Sequence, residues 1–144
     1  MELTPRAKLA LESARQFARD LGHSRVGSQH IVFGLFQLGS GVHFHVLRSV
    51  GFTSDSLRQS IAAEAPVGSV PVGGPTFDIS STTALKRAET EATAMSHTYT
   101  GTEHILLGLL SEAHGGAAHL FASRGVDIAK TRQTIIAEMQ PPIK

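Results

Sequence analysis

The run VGSQHIVFGLF at residues 26–36 recurs as TGTEHILLGLL at residues 100–110. After its histidine each copy is apolar at nearly every position, so neither has the polar stripe of a surface helix. A helix of that kind belongs inside a core. Both copies carry a glycine at the same place, Gly34 and Gly108. A mid-helix glycine costs about 1 kcal/mol relative to alanine, and its recurrence predicts a close helix crossing that a Cβ would block. Working outward from these runs, the register persists. Residues 3–64 align with residues 77–138 at a constant offset of 74 without a gap, and 19 of the 62 aligned positions are identical. The identities include Ala10/Ala84, Ala14/Ala88, His23/His97, Gly27/Gly101, His30/His104, Gly41/Gly115 and Arg58/Arg132. A shared helical period does not bring histidines and glycines into one register, but a duplication does.

The expected architecture is all-α: one domain over 1–144, with repeat one at 3–64, a linker at 65–76 and repeat two at 77–138. Each half reads as four helices, eight in all, packed with pseudo-twofold symmetry, because about 60 residues make only a marginal core alone. Thr4 is the expected N-cap of the first helix, with Pro5 at its first position. Ala7, Leu11, Ala14, Ala18 and Leu21 form its apolar face, and Gly22 stops it. Ser28 and Thr102 are the expected caps of the second helix in each half, and Thr53 and Asp127 those of the fourth. No stretch alternates long enough to predict a strand. The linker APVGSVPVGGPT is uncharged and rich in Pro and Gly, so an insertion at Gly73–Gly74 is expected to be nearly neutral.

Composition narrows the function. The 144 residues are 41% hydrophobic and only 17% charged, with a net charge of +1. The Lys and Arg residues form no block, which argues against a nucleic-acid binder. With no cysteine there is no thiolate nucleophile or thiolate metal site. The opening MELTPRAK lacks an apolar secretion core, and no run approaches the roughly 20 apolar residues of a membrane span, so the expected location is cytoplasmic. Neither a phosphate-binding G-x-x-x-x-G-K-[ST] loop nor a hydrolase or dinucleotide motif is present. Glu89 and Glu91, two apart on a helix, face different directions.

Eight histidines raise the alternative of a histidine-dependent metal-binding protein or metal hydrolase. His43 and His45 are splayed by roughly 200° on a helix, a poor chelate. No carboxylate recurs beside both His30 and His104, and a metal site needs three or four converging ligands. The expectation is that each of these imidazoles bonds locally and fixes the loop before it, with no cofactor and no metal. Glu103 is a sharper candidate. A carboxylate in the first turn of a helix is favourable for the dipole alone, but it would also accept a guanidinium or amine. Its counterpart is Gln29, so the duplication is chemically broken there and Gln29 marks at most a weaker second site.

The runs LTPRAKLALESARQFARDLGHSRVGSQHIVFGLF and ALKRAETEATAMSHTYTGTEHILLGLL resemble the Clp N-terminal repeat of ClpA/ClpC-type unfoldases, over essentially residues 2–139. The resemblance implies two four-helix repeats and a non-catalytic domain that binds substrate or adaptor polypeptides for an AAA+ protease system. In ClpC-type relatives the glutamate of G-T-E-H helps bind phosphoarginine, and in actinobacterial relatives the starts of the two first helices bind cyclic peptide antibiotics. Carried over, the ligand-binding residues are Leu3, Thr4, Arg6, Lys8, Phe77 and Glu103, expected in one small groove. Leu3 replaces the Phe of the F-T-x-R-A segment, and Asp78, Ile79 and Ser80 replace the T-P-R of repeat two. Full-length relatives continue into two ATPase modules, whereas this chain stops at PPIK. The expectation is a stand-alone or truncated ClpC-like paralogue that assists or competes with a Clp unfoldase.

Overall fold

The computed structural model describes residues 2–64 and 68–139. The elements are β1 (Glu2–Leu3), α1 (Pro5–Asp20), β2 (Arg25–Val26), α2 (Ser28–Gln37), α3 (Val42–Ser49), α4 (Ser54–Ala62), β3 (Thr76–Phe77), α5 (Ile79–Ala94), β4 (Tyr99–Thr100), α6 (Thr102–Ser111), α7 (Gly116–Ser123) and α8 (Ile128–Met139). The eight helices form the expected two sets of four. Helix α1 starts as its sequence dictates, with Thr4 Oγ1 accepting from the Ala7 N–H at 3.2 Å and Pro5 at the first position. Thr53 and Asp127 likewise cap α4 and α8, accepting from Ser56 and Lys130 N–H at 3.0 Å each. None of the described helices is by itself long and apolar enough to cross a membrane.

Two local expectations are corrected. Ser28 and Thr102 are the first residues of α2 and α6, and Gly27 and Gly101 hold the cap positions. Ser28 instead turns its hydroxyl to the other repeat, accepting the Ala117 N–H at the start of α7 at 2.9 Å. The second correction is four two-residue strands, too short to leave any alternation in a sequence. They cross-link the repeats: β1 pairs in parallel with β4 and β2 with β3. Backbone bonds extend both ladders, from Thr4 N–H to Thr100 C=O and from Asp78 N–H to Val26 C=O, 3.0 Å each. Every one of these partners maps onto its counterpart at the offset of 74, so the pseudo-twofold relation is built into the hydrogen bonds.

The core is shared. Helices α2 and α6 pack on each other, α2 also packs on α7, and α3 on α8. Ile31, Leu35, Ile105 and Leu109 are all fully buried in one cluster that spans both repeats. The recurrent glycines occupy the predicted crossings. A Cβ on Gly34 would lie 3.1 Å from Ala14 N and collide with the Ala10 carbonyl; one on Gly108 would lie 2.8 Å from Ala88 N and collide with the Ala84 carbonyl. Alanines along α1 and α5 thus let α2 and α6 approach backbone to backbone. The segment between the repeats is more than a passive spacer. Residues 65–67 lie outside the described residues, but Gly74 and Pro75 are buried, Thr76 is the first residue of β3, and the Arg15 side chain bonds the carbonyls of Gly73 and Pro75. An insertion at Gly73–Gly74 would separate the two carbonyls that Arg15 bonds.

Candidate functional site

The candidate residues fall in two places rather than one groove. Leu3, Lys8 and Phe77 line an open cleft of about 410 Å³ together with Leu11, Glu12, Arg15, Pro75 and Thr76. Its floor is apolar, made of Leu3, Leu11, Pro75 and Phe77, and Leu3 and Phe77 are only partly buried. One rim is α1: Lys8, Leu11, Glu12 and Arg15 stand at i, i+3, i+4 and i+7, one face of a helix. The other rim is the strap that leads into β3. The pairing of β2 with β3 sets Phe77 beside Val26, and Leu3 and Phe77 come from different repeats, so the cleft forms where the two repeats dock. Glu12, Arg15, Pro75 and Thr76 were not foreseen. The i, i+3, i+4, i+7 face was legible in α1, whereas the strap was hidden by its long separation in sequence.

The second place gathers Thr4, Arg6 and Glu103 around Gly101 and Gly41. A Cβ on Gly101 would stand 3.6 Å from both Thr4 Cγ2 and Glu103 Oε2. Glu103 lies in the first turn of α6, where Thr102 donates its hydroxyl to Glu103 Oε2 at 3.0 Å. Arg6 donates through Nη2 to the carbonyl and the hydroxyl of Ser40, at 2.9 and 3.1 Å. Beneath them His43 is fully buried. Burial holds its pKa below the ordinary value, while the Glu103 carboxylate pulls it upward and Arg6 pushes it down again. Arg6, His43 and Glu103 thus share one electrostatic neighbourhood.

The counterpart in repeat one is built differently. Gln29 donates to Glu64 Oε1 at 2.8 Å and lines a cleft of about 280 Å³ with His23, Arg25, Glu64 and Asp78. Asp78 caps α5: its Oδ1 accepts from the Ser81 N–H and the Ser80 hydroxyl, both at 2.8 Å. That oxygen is committed to the helix, as Thr4 Oγ1 is in the other copy.

The paired histidines commit their ring nitrogens to the fold. Gly27 N–H donates to His30 Nδ1 at 2.8 Å, and His30 Nε2 lies 2.9 Å from His23 Nδ1. The copy repeats this with Gly101, His104 and His97 at 2.9 and 2.8 Å. Each imidazole therefore fixes the loop before its helix, as expected. Among the described residues no group of three or more His, Cys, Asp or Glu could hold a metal ion.

The profile of the Clp repeat (R) N-terminal domain matches residues 2–87 and again 76–143. The chain is 32% identical over 133 residues to the chaperone protein ClpB of Oceanobacillus iheyensis, covering 92% of this chain and 16% of the relative. It is 32% identical over 140 residues to the ATP-dependent Clp protease ATP-binding subunit ClpC of Staphylococcus aureus, covering 97% and 17%. The chain thus spans about a sixth of the length of these relatives. Its fold is similar to the Hsp104 N-terminal domain of Candida albicans, with a TM-score of 0.79 at 14% identity over 94% of this chain and 90% of that one. It is also similar to the N-domain of ClpV, solved in complex with a VipB peptide, with a TM-score of 0.72 at 21% identity over 95% and 88%. Two profile matches that together span both repeats, and relatives above 30% identity over nearly the whole chain, show that this chain belongs to the Clp repeat N-terminal domain family.

Proposed function

We propose that this domain is a non-catalytic recognition module of a Clp protease system, binding substrate or adaptor polypeptides and peptide-like ligands as an accessory to, or a competitor of, a ClpC-type unfoldase. The observation that carries the reading is the cleft between α1 and β3. It offers an apolar floor for a branched or aromatic side chain, and charged groups from Lys8 and Glu12 on its rim for the backbone and flanking polar groups of a peptide. That the N-domain of ClpV was solved in complex with a VipB peptide supports a polypeptide ligand here, and cyclic peptide antibiotics are ligands of the same chemistry. A direct test is titration of the domain with fluorescein-labelled casein, an unstructured polypeptide. Phe77→Ala should weaken binding by at least about 1 kcal/mol, roughly fivefold, in a domain whose circular dichroism shows it still folded. Undiminished binding by that variant would remove the cleft from the account.

A second reading attaches to Glu103. A guanidinium could pair with its carboxylate while Arg6 meets an anionic substituent, the two-sided arrangement that phosphoarginine requires. Gln29 and Asp78 remove that arrangement from repeat one.

A further inference from the structure

Phe77 is paired through β3 to β2, and the strap that leads into it is fastened to α1 by the Arg15 side chain. The Gly74 N–H donates to the Pro71 carbonyl at 2.9 Å, closing a turn that leaves Val72 wholly exposed. Gly74 has φ +92°, and a Cβ there would stand 3.0 Å from Arg15 Nη2 and 3.4 Å from Arg15 Cζ. The guanidinium therefore lies against bare backbone. Arg15 Nε donates to the Pro75 carbonyl at 3.1 Å, and Nη2 donates to the Gly73 carbonyl. Its partners lie 58 and 60 residues away in the chain, and Thr76 and Phe77 of β3 follow at once. A planar fork with several fixed donors suits two carbonyls one residue apart, whereas a lysine ammonium on a flexible stem does not. The duplicate of Arg15 is Glu89, which has no donor for a carbonyl, so the latch belongs to one repeat only.

We propose that Arg15 is a positioning residue for the cleft: by fastening the strap 73–75 to α1 it fixes the approach to β3 and so, together with the β2 pairing, the position of Phe77, and ligand affinity depends on Arg15 through the wall it helps to hold. The proposal rests on the reading that the cleft takes polypeptide, and the test separates the two. Arg15→Ala, Arg15→Lys and Phe77→Ala are compared with the unaltered domain, by amide hydrogen exchange and by titration with labelled casein. In both Arg15 variants the Gly74 amide should exchange at least about tenfold faster, with α2 and α6 amides unchanged, and casein affinity should fall at least about fivefold. The failure of Arg15→Lys to rescue distinguishes a fork from a mere positive charge. Unchanged Gly74 exchange in Arg15→Ala would overturn the latch, and so would full casein affinity in an Arg15 variant where Phe77→Ala has lost it. If Phe77→Ala also binds casein normally, the reading of the cleft itself is overturned, and the dependence of affinity on Arg15 with it.

Discussion

His30 Nε2 stands 2.9 Å from His23 Nδ1, and the contact fixes the proton on both rings. Because Gly27 N–H donates to His30 Nδ1, that nitrogen carries no hydrogen, so His30 Nε2–H donates to His23 Nδ1. His23 Nε2–H is left to donate to the Glu64 carbonyl at 3.1 Å. A second proton on His30 would confront the Gly27 N–H directly. Burial, and then the neighbouring His23, lower the His30 pKa from 6.5 to about 4, and burial lowers that of His104 as well.

These shifts give stability a pH slope of known sign. Both histidines bind protons more readily in the unfolded chain, so the contribution of each is present above pH 6.5 and is lost as pH falls below it, for His30 down toward 4. For His30 the loss between pH 7.5 and 5 is about 2 kcal/mol. Urea unfolding across that range should show the slope, and His30→Gln should flatten it. A slope unaffected by His30→Gln would place the titration elsewhere.

Ser96 holds φ +61°, and its counterpart Gly22 holds φ +75°. Both follow the first helix of a repeat and turn the chain toward the short strand. The left-handed region costs a residue with a Cβ roughly 1 kcal/mol, so repeat two carries a strain that repeat one avoids. Ser96→Gly should raise stability by about 0.5–1 kcal/mol, measured by thermal melting. A destabilised Ser96→Gly would mean that the serine makes up for the strain through its side chain.

Gly108→Val should disrupt the packing, because the new Cβ meets the Ala84 carbonyl of a neighbouring helix rather than a mobile side chain. Overpacking of this kind costs about 1–3 kcal/mol or more, and Leu109→Ala, leaving a hole beside it, about 2–5 kcal/mol. Either change should lower the one cooperative melt that a shared core dictates. Two separated transitions would contradict the sharing.

These glycines also show what a sequence can carry. Gly34 and Gly108 announced a backbone crossing because a costly residue was kept twice in one register. The eight helices followed from caps and periodicity, elements long enough to repeat a pattern. The two-residue strands had no pattern to repeat, and the hydroxyl of Ser28 gave no sign that it would cap a helix in the other repeat. For the site, Leu3, Lys8 and Phe77 line one cleft. Thr4, Arg6 and Glu103 belong to a second cluster, because β1 leads directly into the α1 cap and turns those side chains toward α6 and Ser40. Arg15 and its strap join positions about 60 residues apart, a relation that only the folded chain creates.

The duplicated arginines have parted chemically. Arg58 lies over the rings of Phe17 and Phe33, at 5.4 and 5.1 Å. Arg132 instead forks onto Glu91, which raises its pKa, with Nη2 to Oε1 at 2.7 Å. The counterparts of Phe17 and Phe33 are Glu91 and Leu107, so repeat two has an ion pair where repeat one has ring contacts. Arg132 is partly exposed, and the pair should be worth no more than about 1 kcal/mol. Glu91→Gln should cost about that much at low salt and little at 1 M NaCl. Arg58→Ala should cost a similar amount that salt hardly changes, since its stem and guanidinium pack on rings. Equal salt dependence in the two would show that the arginines still do one job.

The broken duplication makes the phosphoarginine reading countable. Glu103 retains a carboxylate beside Thr4, with Arg6 and His43 in its field, whereas Gln29 offers an amide and the Asp78 Oδ1 is already bonded to α5. An amide supplies no counter-charge for a guanidinium, and an aspartate beside a phosphate repels it. Calorimetry with free phosphoarginine should therefore give at most one site per chain. Glu103→Gln should remove it, and Arg6→Ala should weaken phosphoarginine more than unmodified arginine, because Arg6 would serve the phosphate. Restoring the missing acid, removing the opposing one and supplying the cation that Ser80 lacks as the counterpart of Arg6, in Gln29→Glu/Asp78→Thr/Ser80→Arg, should create a second site. Two equivalent sites in the unaltered domain would show that Gln29 and Asp78 do not break the symmetry, and binding that survives Glu103→Gln would remove that carboxylate from recognition.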